Sequence, residues 1–392
     1  MLDYLLTDEQ RMIKQLCHKI AEEKIKPVAS ELDKQEKFPR EIIKILAQSD
    51  LFAIFIPEQY GGTLHLPDGQ NVGGVLDLCI ATEELSCACG GIAVCYAASA
   101  LGTFPIMLQG SEEQKKKYLP NLAKGQTLAA FGLTEPEAGS DASAIKTTAK
   151  KQGDSYILNG TKHFITNGEE ADIYVIIAMT DKSKGARGAS AFIVQKGTPG
   201  FSFGKKEEKL GIRASITSEL VFNDCKIPKE NLLGKEGMGF IATMKTFDLS
   251  RPGVAAQAVG IAQGALDLTV KYAKQRQQFG KSISSFQGIQ WMLADMATQV
   301  EAARSLVYAT ARMIDSGKTN VGKESAMSKL FASDTAMRVT TDCVQVFGGY
   351  GYMRDYPVEK YMRDAKITQI YEGTNQIQRN IIALQLIKEM AK

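Results

Sequence analysis

The sequence predicts a mainly α protein with a β domain in its middle. It divides into an N-terminal helical domain (residues 1–125), a middle antiparallel β-barrel or sandwich (126–240) and a C-terminal helical bundle (241–392). Three observations predict this order. Apolar residues recur at helical spacing through the first third. Around Gln126 they give way to short β-type runs bounded by Gly, Pro and charged turns, with no helices between them to build a parallel sheet. From about Ile241 the helical period returns and persists. At 392 residues the chain has room for about two or three domains or one composite fold.

Taken in order, Thr7 with Gln10 makes a capping box that satisfies free N–H groups at a helix start. Ile13, Leu16, Cys17 and Ile20 then form one apolar face. "FPREIIKILAQSD" and "GVLDLCIATEELS" read as further helices, and the Gly-, Pro- and Asn-rich "IPEQYGGTLHLPDGQNVGG" between them reads as loop, longer than usual from Tyr60 to Val75. In the middle region "DSYILNGTKHFIT" carries two β-type runs around Asn159-Gly160, a dipeptide suited to a type I′ hairpin turn. "ADIYVIIAMT", "ASAFIVQKG" and "SELVFNDCKI" follow as strands. In the last region Ser284 with Gln287 spells a second capping box. Phe286, Ile289, Leu293, Met296, Val300 and Val307 then make a seam that suits a helical bundle. Pro252 is expected to kink or interrupt its helix.

Composition narrows the function. The net charge is +3, with no dense Lys/Arg block interleaved with aromatics, so nucleic-acid binding has no support. Lys115, Lys116 and Lys117 follow Glu112 and Glu113 and read as a solvated helix face. "MLDYLLTDEQ" has no basic region leading into an apolar core, and no uninterrupted apolar run reads as a membrane span. A bacterial cytoplasmic protein is expected, or a mitochondrial matrix protein whose leader has been removed. The seven cysteines lack paired spacing and read as free buried thiols. With only His18, His65 and His163, a histidine-based metal site or a Ser/His/Asp triad is poorly supplied, and no metal is expected.

Among the motifs, "GMGFIA" (Gly237 to Ala242) matches GxGxxA but follows a loop and lies in no βαβ unit, so no dinucleotide site is read there. In "FGLTEPEAGSDASAIKTTA" the turn Gly139-Ser140-Asp141 offers N–H groups and a hydroxyl. "QVFGGYGY" is a helix end running into a Gly-rich turn where backbone can approach a ligand. In "QIYEGTNQIQ", Glu372 is a lone carboxylate among apolar and amide neighbours.

In their order along the chain, "LTEPEAGSDA", "NGTKHFITNG", "DLSRPGVAAQAVG", "RQQFGKSISSFQGIQWMLADM", "QVFGGYGY" and "YEGTNQIQR" resemble the acyl-CoA dehydrogenase family over essentially the whole chain. The resemblance implies the α–β–α fold described above with a four-helix bundle as its C-terminal domain, a homotetramer, FAD as cofactor, an acyl-CoA substrate and an electron-transferring flavoprotein as partner. It implies that Phe131, Leu133 and Thr134 lie near the flavin ring on one side and Phe164, Ile165 and Thr166 on the other. Phe164 stands where many relatives have Trp. By the same likeness Arg276, Gln278, Phe279 and Gln287 touch the FAD of a neighbouring subunit, Gln345, Gly348 and Gly349 line its pyrophosphate-to-adenosine portion, and Thr374 and Gln376 complete the contacts. Ser140, Asp248 and Arg251 are implied for the CoA arm, with Tyr371 and Gly373 beside the thioester. Glu372 is implied as the base that takes the α-proton. Physical chemistry agrees, because a weak carbon acid needs a positioned base, and a carboxylate stripped of water is a stronger one.

The branch of the family whose base precedes the Arg of "DLSR" would need a carboxylate where this chain has Ser250. Tyr96, Ala97, Ala98 and Ser99 are implied for the acyl-tail pocket and suit a short, branched or compact cyclic group. Besides dehydrogenation, three alternatives stand: enoyl-CoA reduction in the reverse direction, an O2-using acyl-CoA oxidase, and a non-catalytic helical assembly protein.

Overall fold

A computed structural model describes residues 3–66, 70 and 72–391. The N-terminal region contains α1 (Asp8–Ile20), α2 (Lys26–Gln35), α3 (Arg40–Gln48), α4 (Val75–Ala88), α5 (Gly90–Gln109) and α6 (Glu112–Ala123). The Thr7–Gln10 capping box is present, with both reciprocal bonds made at 3.2 Å. A π-helical turn, Ala21–Ile25, joins α1 to α2 just before Pro27, whose missing N–H breaks the regular ladder there. α4 starts after Gly74, and its first two N–H groups donate to the Asp315 carboxylate at 2.9 Å each. Part of the Tyr60–Val75 loop, residues 67–69 and 71, lies outside the described residues.

α5 corrects one reading of the sequence. By length and composition it could cross a membrane, yet 83% of its apolar window is buried inside the fold. It is a core helix, uncharged because it faces protein on nearly every side. Lys115 also departs from the solvated face expected of it. It is buried with its ammonium over the Tyr60 ring, while Lys116 and Lys117 are exposed.

The middle region is one sheet of eight strands: β1 (Ala129–Gly132), β2 (Thr148–Gln152), β3 (Ser155–Thr166), β4 (Ile173–Met179), β5 (Ala189–Gln195), β6 (Phe201–Lys206), β7 (Thr217–Pro228) and β8 (Leu232–Leu233). The order is β6-β7-β3-β2-β4-β5-β8, with β1 beside β4. Most pairs are antiparallel, but β1 and β2 each pair β4 in parallel. The Asn159-Gly160 turn is not formed. β3 runs straight through both residues, and the irregularity is a register shift against β7 between Leu158 and Gly160. Gly160 (φ 141°) has no room for a Cβ, which would meet Thr147 Oγ1 at 2.5 Å, and the Asn159 amide is spent on Asp224. The hairpin reverses instead at Gly153-Asp154, where Gly153 has φ 58° and pairing resumes at Gln152↔Ser155.

The last region holds α7 (Gly239–Gln275), a short hairpin of β9 (Gln277–Gln278) and β10 (Lys281–Ser282), α8 (Gln287–Asp315), α9 (Gly322–Phe347), α10 (Val358–Thr368) and α11 (Asn375–Met390). α7 continues unbroken through Pro252. The carbonyl that Pro252 leaves without its N–H, that of Asp248, accepts from the Ser325 hydroxyl at 2.6 Å, so a neighbouring helix makes good the lost bond. The Ser284–Gln287 capping box is absent. Ser284 sits in a 3-10 turn paired with Ser282, and Phe286 precedes the first residue of α8. Along the α8 seam Met296, Val300 and Val307 are buried, whereas Trp291 is 62% exposed. A single apolar core runs from α1 through the sheet to α10.

Candidate active site

Residues far apart in sequence line one cavity where α5, α7, the ends of β1 and β3, and the turn before α11 converge. α5 presents Val94, Ala97, Ala98, Leu101 and Phe104, and α7 presents Phe247, Ser250, Gly253, Val254 and Gln257. Both sets follow helical spacing, one face of each helix. The same periodicity turns the expected Tyr96 and Ser99 away. Tyr96 is fully buried with its hydroxyl on Leu51 O, and Ser99 Oγ accepts the Ala129 N–H. The strand ends contribute Phe131, Leu133, Thr134, Phe164, Ile165 and Thr166 as expected, and the turn contributes Tyr371 and Glu372.

Glu372 has φ 51° and Gly373 φ 95°, two successive left-handed residues. For Glu372 this conformation is strained and persists only because neighbours hold it. Its carbonyl accepts from Gln378 Nε2 at 3.1 Å and Arg251 Nε at 3.3 Å. Gly373 O accepts from Gln378 Nε2 and Lys329 Nζ, both at 2.8 Å. A Cβ on Gly373 would meet Gln378 Nε2 at 2.7 Å, so what this glycine spares is the clamp rather than an incoming ligand. Tyr371 donates to Gln257 Oε1, and Gln257 passes the connection to Gly90 O.

The carboxylate accepts the Ser250 hydroxyl proton on Oε2 at 2.5 Å. Burial pushes its pKa up, and the Ser250 hydrogen bond, then Arg251 and Lys329, pull it partly back. Lys329 is fully buried, and desolvation brings its ammonium down to about 7 against the opposing pull of Glu372. Among the described residues the Glu372 backbone N–H meets no acceptor, nor do the hydroxyls of Thr134 and Thr166 donate to any group. The wall is therefore apolar faces edged by free polar groups, with Phe164 59% exposed over it at φ 59°.

A second cleft brings together Arg276, Gln278, Gly348 and Gly349 beside Tyr272, Phe347 and Tyr350. The Arg276 guanidinium lies 5.3 Å from the Tyr350 ring centroid. A Cβ on Gly348 or Gly349 would meet nothing within 4 Å, so both face open space.

Other expected residues line neither cleft. Phe279 is 93% exposed, and Gln287, Gln345, Gln376 and Ser140 are exposed without side-chain partners. Thr374 caps α11 through Ile377 N. Arg251, 4% exposed, is engaged by Glu372 O and Asp248. Burial raises the Asp248 carboxyl to about 6, although Arg251 opposes this. Sequence reading missed Ser250 as a partner of the carboxylate, and also Gln257, Lys329 and Gln378. Helical spacing from Ser250 through Gly253, Val254 and Gln257 carried a signal. Lys329 carried none, since nothing local marks a lysine that will be buried.

Comparisons agree with this architecture. The chain matches "Acyl-CoA dehydrogenase, N-terminal domain" over residues 7–126, "middle domain" over 130–225 and "C-terminal domain" over 237–387. It is 50% identical over 389 residues to an acryloyl-CoA reductase (NADH) of Anaerotignum propionicum, covering 99% of this chain and 96% of that one. The structure of butyryl-CoA dehydrogenase from Megasphaera elsdenii superposes with a TM-score of 0.94 at 50% identity, covering 97% and 99% of the two chains. A structure reported as the electron transferring flavoprotein of Acidaminococcus fermentans, toward a mechanism of flavin-based electron bifurcation, contains a chain matching at TM-score 0.93 and 54% identity, with 97% and 98% covered.

Proposed function

The chain belongs to the acyl-CoA dehydrogenase family, and we propose that it oxidises a short acyl-CoA thioester with Glu372 as the base. It is an FAD-dependent oxidoreductase. The residues present fit that cofactor. Phe131, Leu133, Phe164 and Ile165 offer apolar faces to a flat ring, Thr134 and Thr166 offer free hydroxyls to its polar edge, and Arg276 with Gly348 and Gly349 offers a cation and open backbone to a phosphate. Bound FAD supplies the acceptor for the β-hydrogen, which leaves as hydride.

The observation that carries the proposal is the Glu372 carboxylate, half-buried and hydrogen-bonded to Ser250, in the cavity that those walls line. The α-proton passes to this carboxylate, and the electron pair of the broken C–H bond forms the new double bond as the β-hydride departs. Ser250 orients the carboxylate and keeps enough of it ionised to act. The unpartnered Glu372 N–H is available to the thioester carbonyl, where charge develops. Leu78, Val94, Leu101, Phe104 and Val254 exclude water and close the apolar end of the cavity. With Tyr96 turned away, Ala97 and Ala98 leave width near the reacting carbons, and Phe104 limits length.

We assign residues 1–125, 126–240 and 241–392 to the three domains, a homotetramer as the assembly, an electron-transferring flavoprotein as electron partner and a bacterial cytoplasm as location. The relatives named above are bacterial, and one structure is reported with such a flavoprotein. The reductase name of the Anaerotignum relative favours a second reading, in which the same Glu372 returns its proton to an enoyl thioester.

The test is anaerobic mixing of the purified flavoprotein with straight, branched and cyclic acyl-CoA thioesters while flavin absorbance is followed. Short thioesters are expected to bleach it. Glu372→Gln should retain FAD and bind thioester, with bleaching slowed about 100- to 10,000-fold. Near-wild-type bleaching by that variant rejects the assignment.

A further inference from the structure

We propose that His163 and Glu207 form a binding site for a borderline divalent cation of the zinc type, on the side of the sheet next to the Phe164 wall. His163 on β3 lies among Glu219 on β7 and Glu207, just past β6. One ligand atom from each of the three falls within 4.8 Å of the others. Histidine-poor composition gave no hint of this, because the two glutamates are distant in sequence and only the pairing of β3, β7 and β6 gathers them.

The hydrogen bonds settle the roles. His163 Nδ1 is 3.0 Å from Glu219 Oε1, and Glu219 Oε2 accepts the Lys205 N–H at 3.1 Å. The carboxylate accepts only, so the ring donates from Nδ1, and Nε2 is the nitrogen left for a metal ion to take in place of a proton. Facing it at 3.6 Å is Glu207 Oε1, a buried oxygen with no hydrogen-bond donor, on a residue only 9% exposed. The other oxygen of Glu207 is paired with Lys205 Nζ at 3.0 Å. The gap between Nε2 and Glu207 Oε1 calls for a positive charge, which a ring proton or a metal ion can supply. A tetrahedral zinc ion bonded to nitrogen and oxygen at about 2.0–2.2 Å holds such atoms roughly 3.4 Å apart. Glu219 behind Nδ1 is the carboxylate that orients a metal-binding histidine. Two carboxylates outnumber the one Lys205 ammonium, which favours a further cation between them. The ring is further held by Phe164, with centroids 3.9 Å apart.

The site is independent of the Glu372 chemistry, and its test does not read turnover. The FAD-loaded protein is titrated with Zn2+ by calorimetry, and with Co2+ while its visible d–d bands are followed. One ion per chain with tetrahedral Co2+ bands is expected. Glu207→Gln should weaken it at least about 10-fold. Glu219→Gln, which can donate to Nδ1 and so drive the ring proton to Nε2, should weaken it about 10- to 100-fold. His163→Gln should abolish it, and either glutamate variant decides the matter if that one fails to fold. Equal affinity in wild type and all variants means an adventitious ion only and overturns the proposal. So does the absence of any heat or Co2+ band, which leaves water in the gap.

Discussion

The cavity beneath Glu372 and the cleft beside Gly348 both use the C-terminal helices, yet they have opposite characters. In the first, both carbonyls of the strained turn are held from within the chain, by Arg251 on α7, Lys329 on α9 and Gln378 on α11. Around the second, nothing among the described residues closes over the expected ligands, and Phe279 lies outside the cleft itself. Phe279 is almost wholly exposed on its hairpin, and nothing stands over Gly348 or Gly349. A large aromatic held at φ 53° in open solvent gains nothing by burial in this chain alone, which fits the homotetramer proposed above. The contrast teaches that one chain fixes the Glu372 turn by itself, whereas the cleft beside Gly348 is left open in it.

The sharpest way to break this comparison is at Lys329. Lys329→Met keeps much of the volume but leaves Gly373 O and Asn375 Oδ1 short of a donor at a cost of about 1–3 kcal/mol, so turnover should fall about 10- to 100-fold with FAD retained. The sign of its pH effect follows from charge. Lys329 lowers the Glu372 pKa, so its removal raises it, and the acid limb of the kcat/KM profile should move to higher pH. A fall in rate with an unmoved limb would make Lys329 a packing residue only.

Next in size is the assembly-dependent cleft. Phe279→Ala should weaken FAD binding about 10-fold, measured by flavin fluorescence on dilution, with turnover restored by excess FAD and tetramer dissociation accompanying cofactor loss. Monomers that keep FAD as tightly as the assembly would erase the distinction drawn here.

Ser250→Ala should have a smaller effect, because only one hydrogen bond to the carboxylate is lost. That bond lowers the Glu372 pKa, so its loss raises it. A base must be ionised, so the rate at neutral pH should drop several-fold and recover as pH rises. Smallest for the native substrate is Phe104→Ala. It should leave short thioesters little changed while improving kcat/KM for the next longer straight chain about 10-fold, as expected for one methylene accommodated.

Much of this was legible in sequence. Periodicity identified α1, α3 and α4, and short β-type runs bounded by turns identified β4, β5 and β7, because both signals arise from neighbours along the chain. The failures share one cause. Asn159-Gly160 has the local chemistry of a turn, but pairing with β7 on one side and β2 on the other draws it into a strand. Ser284 and Gln287 have the spacing of a cap, but the preceding hairpin carries the chain into a 3-10 turn instead. Tyr96 and Ser99 fell to simple geometry, since four consecutive helical residues cannot face one cavity.

By itself the sequence determined the α–β–α order and the family, and through its motif it singled out Glu372 as the carboxylate proposed as base. These depend on short-range spacing and on residue types that the chemistry cannot replace. Only the tertiary structure decided that Ser250 touches that carboxylate from 122 residues away, that Lys329 underpins the turn, and that His163 meets two glutamates. The physical reason is that burial and hydrogen bonding between distant segments are set by how helices and strands pack. Packing sums many weak contacts that no local stretch of chain records.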